Sequence, residues 1–165
     1  MAKTKTSFRV PDHAVLASIV RSLRDEKTPS REFRSLVRRA AAILTIEATR
    51  ELPTKSRSVR TPLARAEGRW IASPIVCIPI LRAGLGMMDG FLDILPDSAV
   101  GMAGVYRDEA TLTPVRYYIR LPKPRAGARA FVLDPMLATG GSAVEVVSGV
   151  KSRGYTKIVF LSLIA

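Results

Sequence analysis

A short apolar run that ends at an acid and a glycine-containing turn constrains this chain more than any other feature. Residues 131–133 are uniformly apolar, which is typical of a strand buried on both faces. Asp134 follows at once, residues 138–142 form a run of small residues, and a helical period begins near Val144. A buried strand that leads through a turn into a helix is the unit of parallel α/β sheets, so the stretch predicts an α/β fold.

The turn at 138–142 has the chemistry of a phosphate-binding loop. Its glycines let the backbone approach an anion closely, and the N–H groups at a helix start favour negative charge. Thr139 and Ser142 add hydroxyl donors, and Asp134 can accept hydrogen bonds from sugar hydroxyls. The turn lacks the Gly-Lys-Ser/Thr of a Walker loop and the glycine spacing of a dinucleotide fingerprint. A plain strand-to-helix turn is the alternative, but the acid and the hydroxyls favour a sugar-phosphate site.

A second glycine turn follows another buried strand. Residues 75–80 are β-branched or small, as expected of a central strand, and Cys77 within them is interpreted as a small buried hydrophobe. Arg82 stands just before Gly84 and Gly86, so the turn is either a second anion site or a helix start with an exposed arginine. Both turns are predicted at the carboxyl ends of strands, where open α/β sheets bind ligands.

Two helices are predicted in the first third of the chain. Asp12 is a plausible N-cap of the first, and the single histidine, His13, fits a helix-start or surface position. The second helix is predicted from about residue 30 to 52. Its apolar residues recur every three or four positions: Phe33, Leu36, Val37, Ala40, Leu44 and Ala48. Four arginines are interpreted as its solvated face: Arg31, Arg34, Arg38 and Arg39.

Strand patterns fill much of the remainder. Residues 53–68 predict a weak edge strand or hairpin. Residues 99–106 and 115–120 predict a hairpin arm whose polar tip could cover a substrate site as a hood. The helix after the phosphate-type turn is expected to end near Gly154. A last strand is predicted over residues 157–165.

The composition favours anionic partners and a single domain. The 165 residues include 26 Lys and Arg against 14 Asp and Glu, a formal net charge of +12. Phosphorylated small molecules, nucleic acid and anionic surfaces all fit this charge. Aromatic residues make up only 6%, and no stacking platform stands beside basic residues, which weakens the nucleic-acid alternative. No apolar run is long enough to span a membrane, and no apolar segment follows Lys3 and Lys5, so a cytoplasmic location is the default expectation.

Two strings of residues resemble a known family. DPMLATGGS at 134–142 resembles the phosphoribosyl-pyrophosphate (PRPP) loop of the uracil phosphoribosyltransferases, which carry proline second, as Pro135 stands here. PILRAGLGMMDG at 79–90 resembles their pyrophosphate-binding loop almost letter for letter. Residues 105–109 resemble the family's flexible arm, and residues 44–49 its N-terminal helical segment.

The resemblance implies a type I phosphoribosyltransferase-like α/β fold with a central, mainly parallel sheet flanked by helices and a β-hairpin hood. A single domain over 1–165 is expected, with a helical segment at about 12–52 and a core at about 69–165. The family's next region, which reads the uracil, is not in this sequence, so the chain is expected to be C-terminally incomplete and weakly active. The peptide bond between Arg82 and Ala83 is expected to be cis, and the assembly a homodimer or larger homo-oligomer.

The resemblance also implies a reaction and a set of site residues. Uracil and PRPP would give UMP and diphosphate, with Mg²⁺ on the diphosphate, no metal ligands from the protein, and GTP as an allosteric activator. The expected catalytic residues are Arg82, Arg107 and Asp134. The expected PRPP-binding residues are Arg82, Arg107, Asp134, Pro135, Met136, Leu137, Ala138, Thr139, Gly140, Gly141 and Ser142. The alternatives are a PRPP-binding but inactive fragment and a basic nucleic-acid-binding regulator on the same fold.

Overall fold

The computed structural model describes residues 8–108 and 113–165. In chain order its elements are α1 (Ala14–Leu23), α2 (Ser30–Thr49), β1 (Thr54–Arg60), β2 (Arg65–Ile71), β3 (Ile75–Leu81), α3 (Leu85–Ile94), β4 (Ala99–Val100), β5 (Met102–Arg107), β6 (Pro114–Arg120), β7 (Arg129–Leu133), α4 (Gly141–Ser152) and β8 (Lys157–Leu161). Within these residues, no helix has the length and apolarity needed to cross a membrane.

A mainly parallel sheet forms the centre of the molecule. Among the described residues its strand order is β6-β5-β3-β7-β8, with β4 also beside β3. Every pairing is parallel except that of β6 with β5, which is antiparallel. The predicted α/β fold with a central, mainly parallel sheet is therefore confirmed.

Helices cover both faces of this sheet. Alternate residues of β7 point to opposite sides: Phe131 and Leu133 belong to the core shared with α1, α2 and α3, and Ala130 and Val132 to the core shared with α4. All four side chains are fully buried. The uniformly apolar sequence of β7 thus reflects packing on both faces, as its pattern predicts.

The predicted hairpin arm is present as β5 and β6, and it is continuous with the main sheet through β5. The single strand predicted over 99–106 is divided at Gly101, whose N–H donates to the Cys77 carbonyl at 2.9 Å. A Cβ at Gly101 would lie 2.7 Å from Leu121 Cδ2, so a larger residue here would require Leu121 to move. The polar tip at 109–112 lies outside the described residues.

The N-terminal helices follow the prediction with corrections at their ends. His13, not Asp12, caps α1, because its Nδ1 accepts the Leu16 N–H at 3.3 Å. Helix α2 ends at Thr49 instead of about residue 52. On its predicted buried face, Phe33 remains 43% exposed because it stands in the first turn, before the helix reaches the core.

One of the arginines assigned to the solvated face of α2 has a structural partner. Arg38 Nε and Nη2 each donate to an Asp93 carboxylate oxygen at 2.7 Å, which makes a two-point ion pair between α2 and α3. Arg38 is on the solvated face as predicted, since its side chain is 54% exposed. Its ion pair was not predicted, because helical periodicity does not show which other helix lies alongside.

The weak hairpin predicted at 53–68 forms as β1 and β2 and extends to Ile71. Every strand position except Gly68 is exposed. The last strand is shorter than predicted: β8 ends at Leu161, and the Leu163 and Ile164 N–H groups then donate to the Pro135 carbonyl at 3.2 and 3.1 Å. The end of the chain therefore supports the loop that follows β7.

Two glycines of α3 make a matched test of the α2–α3 contact. A methyl group at Gly90 would overlap the Arg38 carbonyl oxygen and lie 3.1 Å from Ala41 Cβ, whereas one at Gly86 would only touch Val37 Cγ1 at 3.4 Å. We expect Gly90→Ala to lower the free energy of unfolding by about 2 kcal/mol. Gly86→Ala should leave it unchanged or raise it by up to about 1 kcal/mol, because alanine favours helix. Urea denaturation measures both, and equal stabilities would contradict the contact.

Candidate functional site

The turn after β7 encloses a hollow of about 140 Å³ at the carboxyl edge of the sheet. Its described lining consists of Pro114, Asp134, Met136, Leu137, Ala138, Thr139, Gly140, Gly141, Ser142 and Ala143. Most residues of the predicted PRPP set are thus brought around one cavity. Of the other predicted members, Arg82 and Pro135 are not part of this lining, and the side chain of Arg107 is outside the described part of the structure.

The shape of the turn depends on Gly140 and on the start of α4. Gly140 is the N-cap of α4 and has φ +78°, a left-handed conformation that favours glycine. No side chain accepts a hydrogen bond at this helix start. The amides of the first turn have no acceptor within a helix, so they are available to an anion in the hollow.

Asp134 places one carboxyl group at the entrance of the turn. Burial raises the pKa of this carboxyl above its ordinary value of 3.8, and the Met136 N–H, which donates to Oδ1 at 3.4 Å, offsets part of the rise. Burial acts by removing water from the charged form. Hydroxyl donors of a ligand would replace that water, which suits the carboxylate for binding a sugar.

Main-chain hydrogen bonds to the end of the chain hold the turn from behind. The Asp134 N–H donates to the Leu161 carbonyl at 3.1 Å, and the Leu137 N–H donates to the Ile164 carbonyl at 2.8 Å. The Pro135 carbonyl accepts from the Leu163 and Ile164 N–H groups, and Pro135 is not among the residues that line the hollow. Pro135 therefore supports the loop and does not line it.

The second glycine turn lies directly against the end of β7. A side chain at Gly84 would overlap the Leu133 carbonyl oxygen and lie 2.6 Å from the Ile80 nitrogen, so only glycine permits the approach. The cis peptide bond of this turn joins Leu81 to Arg82, which corrects the expected position between Arg82 and Ala83 by one residue. Arg82 is exposed and does not line the hollow.

The base of the hairpin hood forms another side of the hollow. Pro114 lines it and would touch a methyl group on Gly141 at 3.5 Å. The main chain of Arg107 pairs with Pro114 across the hairpin, while the Arg107 side chain lies outside the described part of the structure. Sequence reasoning found the hairpin but missed Pro114, because strand register decides which residue meets α4.

Cys77 takes no part in this site. Its side chain is fully buried in β3, and burial raises the pKa of the thiol to about 12. The interpretation of Cys77 as a small buried hydrophobe is confirmed.

The fold and the site together define a class. An acid and a glycine turn stand at the carboxyl end of one central parallel strand, a second glycine turn abuts them from the next strand, and a hairpin closes the side. This is the arrangement of a phosphoribosyltransferase domain.

Comparison with known proteins shows the particular family. Residues 10–165 match the family model for uracil phosphoribosyltransferase. The uracil phosphoribosyltransferase of Fervidobacterium nodosum is 45% identical over 157 residues, covering 94% of this chain and 76% of that protein. That of Halalkalibacterium halodurans is 46% identical over 155 residues, covering 93% and 74%. The chain belongs to the uracil phosphoribosyltransferase family.

Solved structures agree on the fold. The AQ2163 protein from Aquifex aeolicus matches with a TM-score of 0.87 and 30% identity, over 92% of this chain and 73% of that one. A purine phosphoribosyltransferase from Pyrococcus horikoshii, at 20% identity and a TM-score of 0.55 over 76% and 70%, shows the fold alone. These relationships do not favour the nucleic-acid-binding alternative.

The raised pKa of Asp134 predicts a pH-dependent stability difference. Because the folded state favours the protonated carboxyl, this group stabilises the fold below its ordinary pKa, and that contribution is lost as pH rises through the raised pKa. At about pH 7 the free energy of unfolding of Asp134→Asn should therefore exceed that of the wild type, by up to about 1 kcal/mol after allowance for solvent screening.

The difference in free energy of unfolding between Asp134→Asn and the wild type should shrink towards about pH 4, where the wild-type carboxyl is increasingly protonated. Urea denaturation across this range measures it, with Glu26→Gln as the surface control. An Asn variant that is less stable than the wild type at neutral pH would show that burial of the charged Asp134 carboxylate does not destabilise the fold.

Proposed function

We propose that the chain transfers the ribosyl phosphate of PRPP to uracil, releasing UMP and diphosphate. The observation that carries the proposal is the hollow that Asp134 and the start of α4 line together, at the carboxyl edge of the sheet. Family membership supplies the substrates, since the similar proteins of known activity bear the name uracil phosphoribosyltransferase. The proposed enzyme is a pentosyltransferase with residues 1–165 as one domain.

The hollow fixes the sugar phosphate before reaction. The 5′-phosphate accepts from the free amides at 140–142 and from the Thr139 and Ser142 hydroxyls, and the dipole of α4 favours its charge. Asp134 accepts from the ribose hydroxyls. Holding both ends of the ribosyl phosphate presents C1′ in one orientation, which removes part of the entropic barrier.

The reaction itself is a displacement at C1′. A uracil ring nitrogen gives up its proton to solvent or to the departing diphosphate and forms a bond to C1′ as the bond to the diphosphate oxygen breaks, and the sugar gains oxocarbenium character. Negative charge collects on the departing diphosphate, where Arg82 from the β3–α3 turn and Arg107 from the hairpin stabilise it. No nucleophilic side chain is required.

Mg²⁺ is part of the same proposal. Among the described residues that line the hollow, Asp134 is the one that carries a carboxylate. One carboxylate beside a ligand's phosphates is a common setting for this ion, which keeps several waters and binds mainly phosphate oxygens. The ion supplies positive charge to the leaving diphosphate.

A homodimer is proposed as the working assembly. Phe33 and Ile46 of α2 are 43% and 50% exposed, and Val59 and Trp70 share one face of the β1–β2 hairpin at 48% and 57% exposure. A two-stranded hairpin is marginally stable alone, so a second copy that covers these residues would stabilise it. Sedimentation at the mass of one 18.0 kDa chain would contradict this assembly.

GTP activation and a cytoplasmic location remain expectations from the family.

Measurement of PRPP binding tests the proposed contacts of the 5′-phosphate first. We expect Ser142→Ala to weaken PRPP binding in the presence of Mg²⁺ by about tenfold, because a hydrogen bond to a charged phosphate is lost. Ser152→Ala removes the same hydroxyl from the other end of α4 and should leave the affinity unchanged. Isothermal titration calorimetry measures both. Equal affinities would place the phosphate elsewhere.

Formation of UMP tests the transfer step. Arg82→Ala should lower kcat/KM for PRPP by about a hundredfold, because it removes positive charge from the departing diphosphate. Arg125→Ala, an exposed arginine in the connector before β7, serves as the matched control. The assay follows UMP from radiolabelled uracil. Unchanged turnover in Arg82→Ala would remove this residue from the mechanism.

A further inference from the structure

An arginine of the hood crosses α4 to reach an acid near the phosphate turn. Arg116 Nη1 on β6 lies 3.5 Å from Glu145 Oε1 on α4, and each side chain is 34% exposed. Neither residue lines the hollow. The reaction proposed above gives them no role.

Gly149 makes room for this crossing. A methyl group at Gly149 would overlap Arg116 Nη1 and lie 3.0 Å from Ile119 Cδ1. The guanidinium group therefore passes against the bare backbone of α4, one turn beyond Glu145. Packing between β6 and the helix holds the arginine in this position.

Glu145 stands where its charge would oppose phosphate binding. It follows Gly141 by four residues, which places it about 6 Å along the helix axis from the first turn. A negative charge at this range repels a phosphate bound at the helix start and counteracts the helix dipole. A positive charge paired with Glu145 removes much of that repulsion.

Arg116 is also placed to connect this charge to the hood. Pro114 and Arg116 are two residues apart on β6, so their side chains lie on the same face of the strand. Pro114 lines the hollow, and Arg116 extends the same surface over α4.

We propose that Arg116 is a positioning residue for ribosyl-phosphate binding, and that it acts by neutralising Glu145 beside the start of α4. The inference rests on the proposed function, because it concerns the same phosphate site. Arg116 does not touch the substrate. It keeps the helix start electrostatically favourable to the 5′-phosphate.

A charge-neutralisation cycle on the full chain tests the proposal. Titration with PRPP and Mg²⁺ should show about three- to tenfold weaker binding for Arg116→Met, which keeps the aliphatic stem and loses the charge. Glu145→Gln should bind at least as tightly as the wild type. The double variant should regain wild-type affinity, and Arg116→Lys should keep most of it.

Two further readouts separate this role from a structural one. The defect of Arg116→Met should shrink as salt is raised, because added ions screen the exposed charge of Glu145. In the UMP assay, KM for PRPP should rise while kcat stays unchanged. A purely structural role would lower the affinity of Glu145→Gln as well, since that variant also breaks the ion pair.

The outcomes distinguish the two proposals. If the wild type binds PRPP and Arg116→Met binds it equally well, this inference is overturned and the proposed function stands. A double variant that binds PRPP as weakly as Arg116→Met also overturns it, because the loss of affinity would then not depend on the charge of Glu145. A wild-type chain that does not bind PRPP overturns both.

Discussion

Parallel pairing of β3 with β7 brings Pro79 opposite Leu133, and this register determines where the site residues lie. Both strands end at the same edge of the sheet, so the turn that carries Arg82 and the turn that begins at Asp134 leave it side by side. The absence of a side chain at Gly84 lets the first turn rest on the carbonyl of the second strand. The site is thus assembled by the sheet before any ligand arrives.

The same pairing explains why Asp134 stands at the edge of the sheet. The central strands are buried on both faces, so polar groups can appear only where they end. At that edge the start of α4 supplies positive potential, and Asp134 supplies a hydrogen-bond acceptor. The hood approaches α4 from the other side, which links the charge of Glu145 to the hairpin through Arg116.

The sequence predicted the elements that depend on residues close together in the chain. The apolar runs predicted β3 and β7, and the small residues at 138–142 predicted the turn before α4. Features set by distant packing were missed or displaced. The strand is divided at Gly101, whose N–H pairs with the Cys77 carbonyl, and Pro114 reaches the hollow through hairpin register. No periodicity within one segment contains this information, because both depend on residues far apart in the chain.

The proposed function requires that one turn, at the end of β7, holds the phosphorylated sugar. Amide chemical shifts of the labelled chain during titration with PRPP and Mg²⁺ test it most directly. The account predicts saturable shifts concentrated at Asp134 and residues 138–142, with the β1–β2 hairpin unaffected. Shifts confined to the hairpin or to α1, with the turn unchanged at saturation, would contradict it.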